Sequence, residues 1–172
     1  MKLVNALLVD GYNVIHQTPP YSAMAAVDLE AARLALVSDV SAFAHGAYRA
    51  TVVFDGHNNP RSSGLPHRVA GITVIFSRYG IEADTVIESL ARASREQGEP
   101  AIVVTSDAQT QWTVLGGSVK RMSSAEFARE LRSEGDVWRD HAPAGSIKGR
   151  LADRIDAETR SRLSRWARGL SS

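Results

Sequence analysis

The sequence predicts an α/β fold in which a mostly parallel sheet is covered by helices on both faces. Three observations predict it. Short apolar runs rich in β-branched residues recur at 3–9, 51–54, 72–76 and 101–105, and strands buried on both faces read this way. Segments with apolar residues at three- and four-residue spacing lie between them, at 28–44 and 82–97, and such a stripe marks a helix packed on one side. Polar clusters stand directly after the first, third and fourth runs. Strands alternating with helices in this order specify an α/β layer architecture.

In chain order, residues 3–9 form the first strand and run into what reads as a turn at Asp10-Gly11-Tyr12-Asn13. From Asp28 to about Ala44, the positions Leu29, Ala32, Leu36, Val40 and Phe43 define an amphipathic helix with Asp28 as its N-cap. The second strand, 51–54, stops at Asp55-Gly56. Residues 57–70 carry two prolines, a glycine and no periodicity, and read as a loop. The third strand is 72–76. The helix over 82–97 buries Ala83, Val86, Ile87, Leu90 and Ala91 and is ended by Gly98 and Pro100. The fourth strand, 101–105, leads to Ser106-Asp107 at the start of a short helix. Gly116-Gly117 turn the chain into a brief strand near 118–121. A helix follows over 123–133, with Ser123 and Glu126 spaced as a capping box. A last helix over 149–169 sets Leu151, Ile155, Leu163, Trp166 and Leu170 on one stripe among six arginines, and Gly145 before it suggests a linker. The expected organisation is a domain over 1–140 with a basic linker and helix, 141–172, appended to it.

At 172 residues and 44% apolar composition, the chain supports one core. It has no cysteine, which excludes disulfides, thiolate zinc sites and cysteine nucleophiles. The apolar start is too short and too polar for a signal sequence, and no run is long enough to span a bilayer, so the expected location is cytoplasmic with no membrane partner. Charge is nearly balanced overall but unevenly placed. Residues 76–119 hold 3 basic and 6 acidic side chains, and residues 120–172 hold 12 and 8. An acidic pocket beside a phosphate-binding surface would give that pattern, and so would a solvated helix face.

Asp10, Asp84 and Asp107 all fall at strand ends or in the first turn of a following helix. In an open α/β sheet that edge is where ligands bind. Two carboxylates ~4 Å apart repel by about 4 kcal/mol at an effective dielectric near 20, and a cation relieves the repulsion. An all-oxygen donor set without cysteine favours Mg²⁺ or Mn²⁺. Each aspartate also has a local role open to it: an Asx-turn for Asp10, an N-cap for Asp107, a macrodipole contact for Asp84. Asp55 stands either at the pocket rim or in a turn, and Glu88 is either an outer-shell ligand or an exposed helical residue. A nucleotide-binding or phosphatase-like domain is disfavoured, because no G-x-G-x-x-G, Walker A or D-x-D motif follows a strand.

The strings LLVDGYNVI (7–15), VVFDG (52–56), VIFSRYGIEADTVIE (74–88), VVTSDAQTQ (103–111) and SSAEFARELR (123–132) resemble, in order, the YacP-like branch of the NYN domain family. The resemblance implies a PIN-like three-layer α/β/α fold and metal-dependent endonucleolytic cleavage of single-stranded RNA. It places the family's catalytic and metal-binding aspartates on Asp10, Asp84 and Asp107, with Asn13 and Ser106 in support. RNA is the implied partner, and for some members mRNA on the ribosome. Candidate RNA contacts are Tyr12, His57, Arg61, His67, Arg68, Arg78 and Tyr79, because cations and flat side chains hold single strands. For Trp166, docking into the core is favoured over base stacking. The competing reading is an RNA- or ribosome-binding module that keeps the fold without cutting.

Overall fold

The computed structural model describes residues 4–106, 116–141 and 156–170. Six strands, β1 (Asn5–Asp10), β2 (Tyr48–Phe54), β3 (Pro66–Val69), β4 (Ile72–Phe76), β5 (Ala101–Val104) and β6 (Val119–Met122), form one sheet in the order β3-β4-β2-β1-β5-β6. Every pairing is parallel except β3 with β4. The helices are α1 (Gly11–Gln17), α2 (Pro19–Val27), α3 (Leu29–Ala44), α4 (Ala83–Glu96), α5 (Ser124–His141) and α6 (Ala157–Ala167). The expected α/β fold with a mostly parallel central sheet is therefore present.

Side chains alternate across the sheet with the period of two that a strand imposes. Leu7 and Val9 of β1 join Val52, Phe54, Val74, Phe76 and Val104 in a core that also takes Val14, Leu36, Val40, Phe127, Leu163 and Trp166 from the helices. Ala6 and Leu8 face the other way, with Val53, Ile75 and Val103, and α4 covers them with Ala83, Ile87 and Ala91. The layers are unequal. α4 supplies the helical residues of one core, and five helices crowd the other face.

Several elements depart from the sequence reading. The stretch after β1 is no turn but α1, because the Asp10 carboxylate accepts from the Asn13 backbone N–H at 3.2 Å and caps a helix at once. α2 follows with proline in its first turn, where the missing N–H removes no intrahelical bond. The 57–70 segment is not loop throughout. Pro66–Val69 pairs with β4 as an antiparallel edge strand, a place where proline is tolerated. Ala70 (φ 48°) and Gly71 (φ 85°) make the two-residue turn, whose positive φ values suit the twist of a hairpin. The capping box at Ser123 and Glu126 is formed in both directions, at 2.8 and 3.2 Å. The short helix expected from Asp107, the linker at Gly145 and the start of the last helix lie outside the described residues. Trp166 docks into the core as expected. No helix among the described residues is long and apolar enough to cross a membrane.

Candidate active site

The chain leaves β4 for β5 by crossing over β2 and β1 through α4. β1 thus has the earlier β2 on one side and the later β5 on the other. The change of direction between β1 and β5 opens a crevice at the carboxyl ends of these strands. Asp10 is the last residue of β1, Asp55 follows β2, and Ser106 follows β5. Asp84 sits in the first turn of α4.

Local packing fixes each position. Gly11 carries no Cβ because one would lie 2.4 Å from the Phe54 ring, so the backbone bends tightly after Asp10. Gly56 is equally confined, with Ser77 O at 2.3 Å and Ser62 Oγ at 2.6 Å from where its Cβ would stand. The Gly56 N–H donates to Ser77 Oγ (2.8 Å), Ser77 N donates to Phe54 O (2.9 Å), and Ser62 Oγ donates to Ser77 O (2.7 Å). Ser62 and Ser77, both buried, thus join the exit loop of β2 to that of β4. Their sequence signal was weak, since serine beside a strand is ordinary turn chemistry.

These joints bring three carboxylates together. Burial pushes the Asp10 carboxyl up to about 7, against the Asn13 hydrogen bond, and the charges of Asp84 and Asp55 and a hydrogen bond with the Asp84 side chain add to the rise. Asp55 differs. Burial pushes it up, yet hydrogen bonds from the His57 backbone, the His57 ring and the Ala83 backbone outweigh that and hold it below the usual carboxylate range. Its Oδ2 accepts from Ala83 N at 3.1 Å, so Asp55, contributed from another strand, satisfies the first turn of α4, where Glu82 makes no side-chain cap.

Asn13 forms a second joint. Its Oδ1 accepts from Ser106 N (2.8 Å) and from Ser124 Oγ (2.6 Å), while Ser106 Oγ accepts from Ser124 N (3.0 Å). α1, the end of β5 and the start of α5 are held by one amide. Ser124, fully buried, escaped the sequence reading because it stands beside the more conspicuous capping box.

Asp107 lies outside the described residues. Among the described residues no group of three His, Cys, Asp or Glu side chains is gathered as a metal cage. Glu88 is paired with Arg92 at 3.2 Å along α4, and the carboxylates acting on Asp10 are Asp84 and Asp55. The candidate RNA contacts divide into two groups. Tyr12 is packed on Phe54 and accepts from Arg33 Nε at 2.9 Å. His67 stacks on Trp166 with ring centroids 3.9 Å apart. Arg68 donates to Thr73 Oγ1 and Gly71 O across its own hairpin. Arg61, Arg78 and Tyr79 are exposed, Tyr79 by 56%, and His57 is half-buried at the crevice rim.

The family comparison agrees with this geometry. The model of the YacP-like NYN domain matches residues 7–168. The chain belongs to the YacP-like NYN domain family. YacP of Bacillus subtilis (strain 168) is 32% identical over 176 residues, covering 96% of this chain and 98% of the relative. The crystal structure of Rae1 (YacP) from Bacillus subtilis superposes with a TM-score of 0.67 at 29% identity, covering 96% of each chain. A single-substitution variant of Rae1 gives 0.65 at 28% identity, over 94% of this chain and 98% of the other. NYN domains belong to the PIN-like nuclease superfamily, so this YacP-like chain carries a nuclease-type fold associated with RNA.

Proposed function

We propose that this YacP-like chain is a divalent-metal-dependent endoribonuclease that cleaves single-stranded RNA, with mRNA, free or on the ribosome, as the substrate class. One observation carries the reading: Asp10 is desolvated against Asp84 and Asp55 at the strand-end crevice, with its carboxyl raised to about 7. Two carboxyl groups that share a hydrogen bond must hold a proton between them, and a hard cation can take that proton's place. The all-oxygen donor set fits Mg²⁺ or Mn²⁺. Asp10 and Asp84 would hold the ion, with Asp107 as the third donor that the family resemblance implies.

When bound, such an ion lowers the pKa of a water nucleophile and stabilises charge on the phosphate during in-line attack. The protein's own residues supply the frame. Asp10 is fixed by its N-cap bond, Asp84 by the first turn of α4, and α4 itself by Asp55. Asn13 and Ser106 set the end of β5, from which Asp107 departs. The exposed Arg61, Arg78 and Tyr79 offer a cationic and aromatic rim for a single strand. We read 1–140 as the nuclease domain, on which the described part of the C-terminal segment, α6, is docked.

The test is Asp84→Asn. Mn²⁺-stimulated cleavage of a single-stranded RNA should fall by at least about 100-fold, the scale of losing one electrostatic contact in a transition state, while the thermal transition is retained. Equal cleavage by the variant and its parent would refute the reading, as would RNA binding without cleavage under any divalent metal.

A further inference from the structure

The loop leaving β2 holds a carboxylate–histidine pair that the proposed metal site does not employ. Asp55 Oδ1 accepts from the His57 backbone N–H at 2.9 Å and is bonded to the His57 ring through Nδ1, while Oδ2 accepts from Ala83 N. An ionised carboxylate only accepts, so the proton of the Asp55–His57 contact resides on Nδ1. In the uncharged imidazole this tautomer leaves Nε2 as a lone pair, an acceptor. No protein donor among the described residues meets Nε2. The ring, 39% exposed along its side chain, helps line an open depression with Asp55, Gly56, Asn58, Asn59 and Ala167. That depression adjoins the aspartates, because Asp10 pairs with Val53, two residues before Asp55.

The acceptor restricts what can bind there. The phosphate and ether oxygens of a nucleic-acid backbone only accept hydrogen bonds. The 2′-hydroxyl is the one backbone group that can donate, and DNA lacks it. We propose that His57, locked in one tautomer by Asp55, accepts a hydrogen bond from a ribose 2′-hydroxyl of the strand crossing the crevice and so makes the site prefer RNA to DNA. This rests on the RNA reading given above and adds the residue that discriminates the sugar.

The experiment measures binding rather than cleavage, so the two readings fail separately. In an Asp84→Asn background without divalent metal, fluorescence anisotropy compares a single-stranded oligouridine with its all-deoxyuridine counterpart. His57→Ala, and His57→Phe, which keeps a ring without the nitrogen, should each weaken RNA binding by about 3- to 10-fold, the range of one hydrogen bond, and leave DNA binding unchanged. Thermal melting verifies that both variants fold. Equal losses on RNA and DNA would reveal a phosphate or base contact and overturn the inference, as would no loss on either. Failure of the parent to bind either strand would overturn the RNA reading and this inference with it. An unchanged RNA-to-DNA ratio in a parent that does bind overturns this inference alone.

Discussion

Replacing Asp10 by asparagine should make the metal-free protein more stable, by an amount that depends on pH. Burial and the neighbouring Asp84 and Asp55 raise the Asp10 carboxyl from 3.8 to about 7. At 1.36 kcal/mol per unit, the folded state disfavours the ionised form by about 4 kcal/mol. Between about pH 4 and pH 7 the folded chain holds a proton that the unfolded chain has released, so stability falls as pH rises through that window. The penalty is absent below it and complete above it. Asparagine has the same shape, caps a helix as well as aspartate does, and carries no charge. In EDTA at about pH 8, Asp10→Asn should therefore exceed wild type by up to about 4 kcal/mol, or roughly 8–16 °C in Tm for a chain of this size. Near pH 4 the two should melt together. Differential scanning calorimetry at both pH values reads the effect. Saturating Mn²⁺ at about 100 times its Kd should return about 2.7 kcal/mol to wild type and much less to the variant. A stability difference independent of pH, or a variant less stable than wild type at the higher pH, would refute the electrostatic argument.

Two further substitutions probe the frame. Trp166→Ala removes a buried ring stacked on His67 and should cost about 3–5 kcal/mol in urea unfolding. Hydrogen exchange in α6 should accelerate more than in β1, and uniform protection of the two elements would contradict the docking described. Asn13→Ala leaves the Ser106 N–H and the Ser124 hydroxyl without their shared acceptor. It should cost about 1–3 kcal/mol for each group left unsatisfied, with exchange rising first at the Ser106 amide. An unchanged denaturation midpoint would show that the joint carries no load.

The parallel sheet was legible because strands buried on both faces are read from composition, and four of the six stand out as β-branched runs. α1 was not legible, because Asp-Gly-Tyr-Asn has the composition of a turn. What makes it a helix is the Asp10 cap together with a Gly11 that lets the backbone pass the Phe54 ring, and the second of these is a tertiary fact. β3 was hidden for a similar reason. Pro66 reads as a breaker until an edge is available that needs no N–H from it. At the site, strand-end position put Asp10 and Asp84 on one edge, and the structure sets these two side by side, while Asp107 lies outside the described residues. Strand-end position could not separate Asp10 from Asp55. Both precede a helix or turn and both are followed by glycine, yet one is pushed up by burial while the other is held down by three hydrogen-bond donors. That difference depends on the Ala83 N–H arriving from another element, which no local spacing encodes.

The C-terminal helix reads in the sequence as an addition to the domain, and its contacts seat it beside the depression that opens next to Asp55. Asn59 Nδ2 donates to Ala167 O at 3.2 Å, and a Cβ on Gly169 would collide with the Arg61 backbone at 2.4 Å. The end of α6 is therefore seated on the loop that carries His57. Trp166 fills the space over His67, and Arg162 lies 5.0 Å from the Trp166 ring centroid, so burial and this guanidinium both lower the His67 pKa and favour its neutral form. A charged imidazole there would repel Arg162 and weaken the stack. The stretch 57–62 thus has two partners at once: Asp55 on one side, through His57, and the arginine-bearing helix on the other. Acidic crevice and basic helix adjoin because a single loop packs against both, and the uneven charge along the sequence becomes a short distance in the fold. A polyanion drawn to Arg160, Arg165 and Arg168, all exposed, would arrive beside the depression that opens next to Asp55. Moving charge from α6 should for that reason slow RNA association more than it alters cleavage of bound strands.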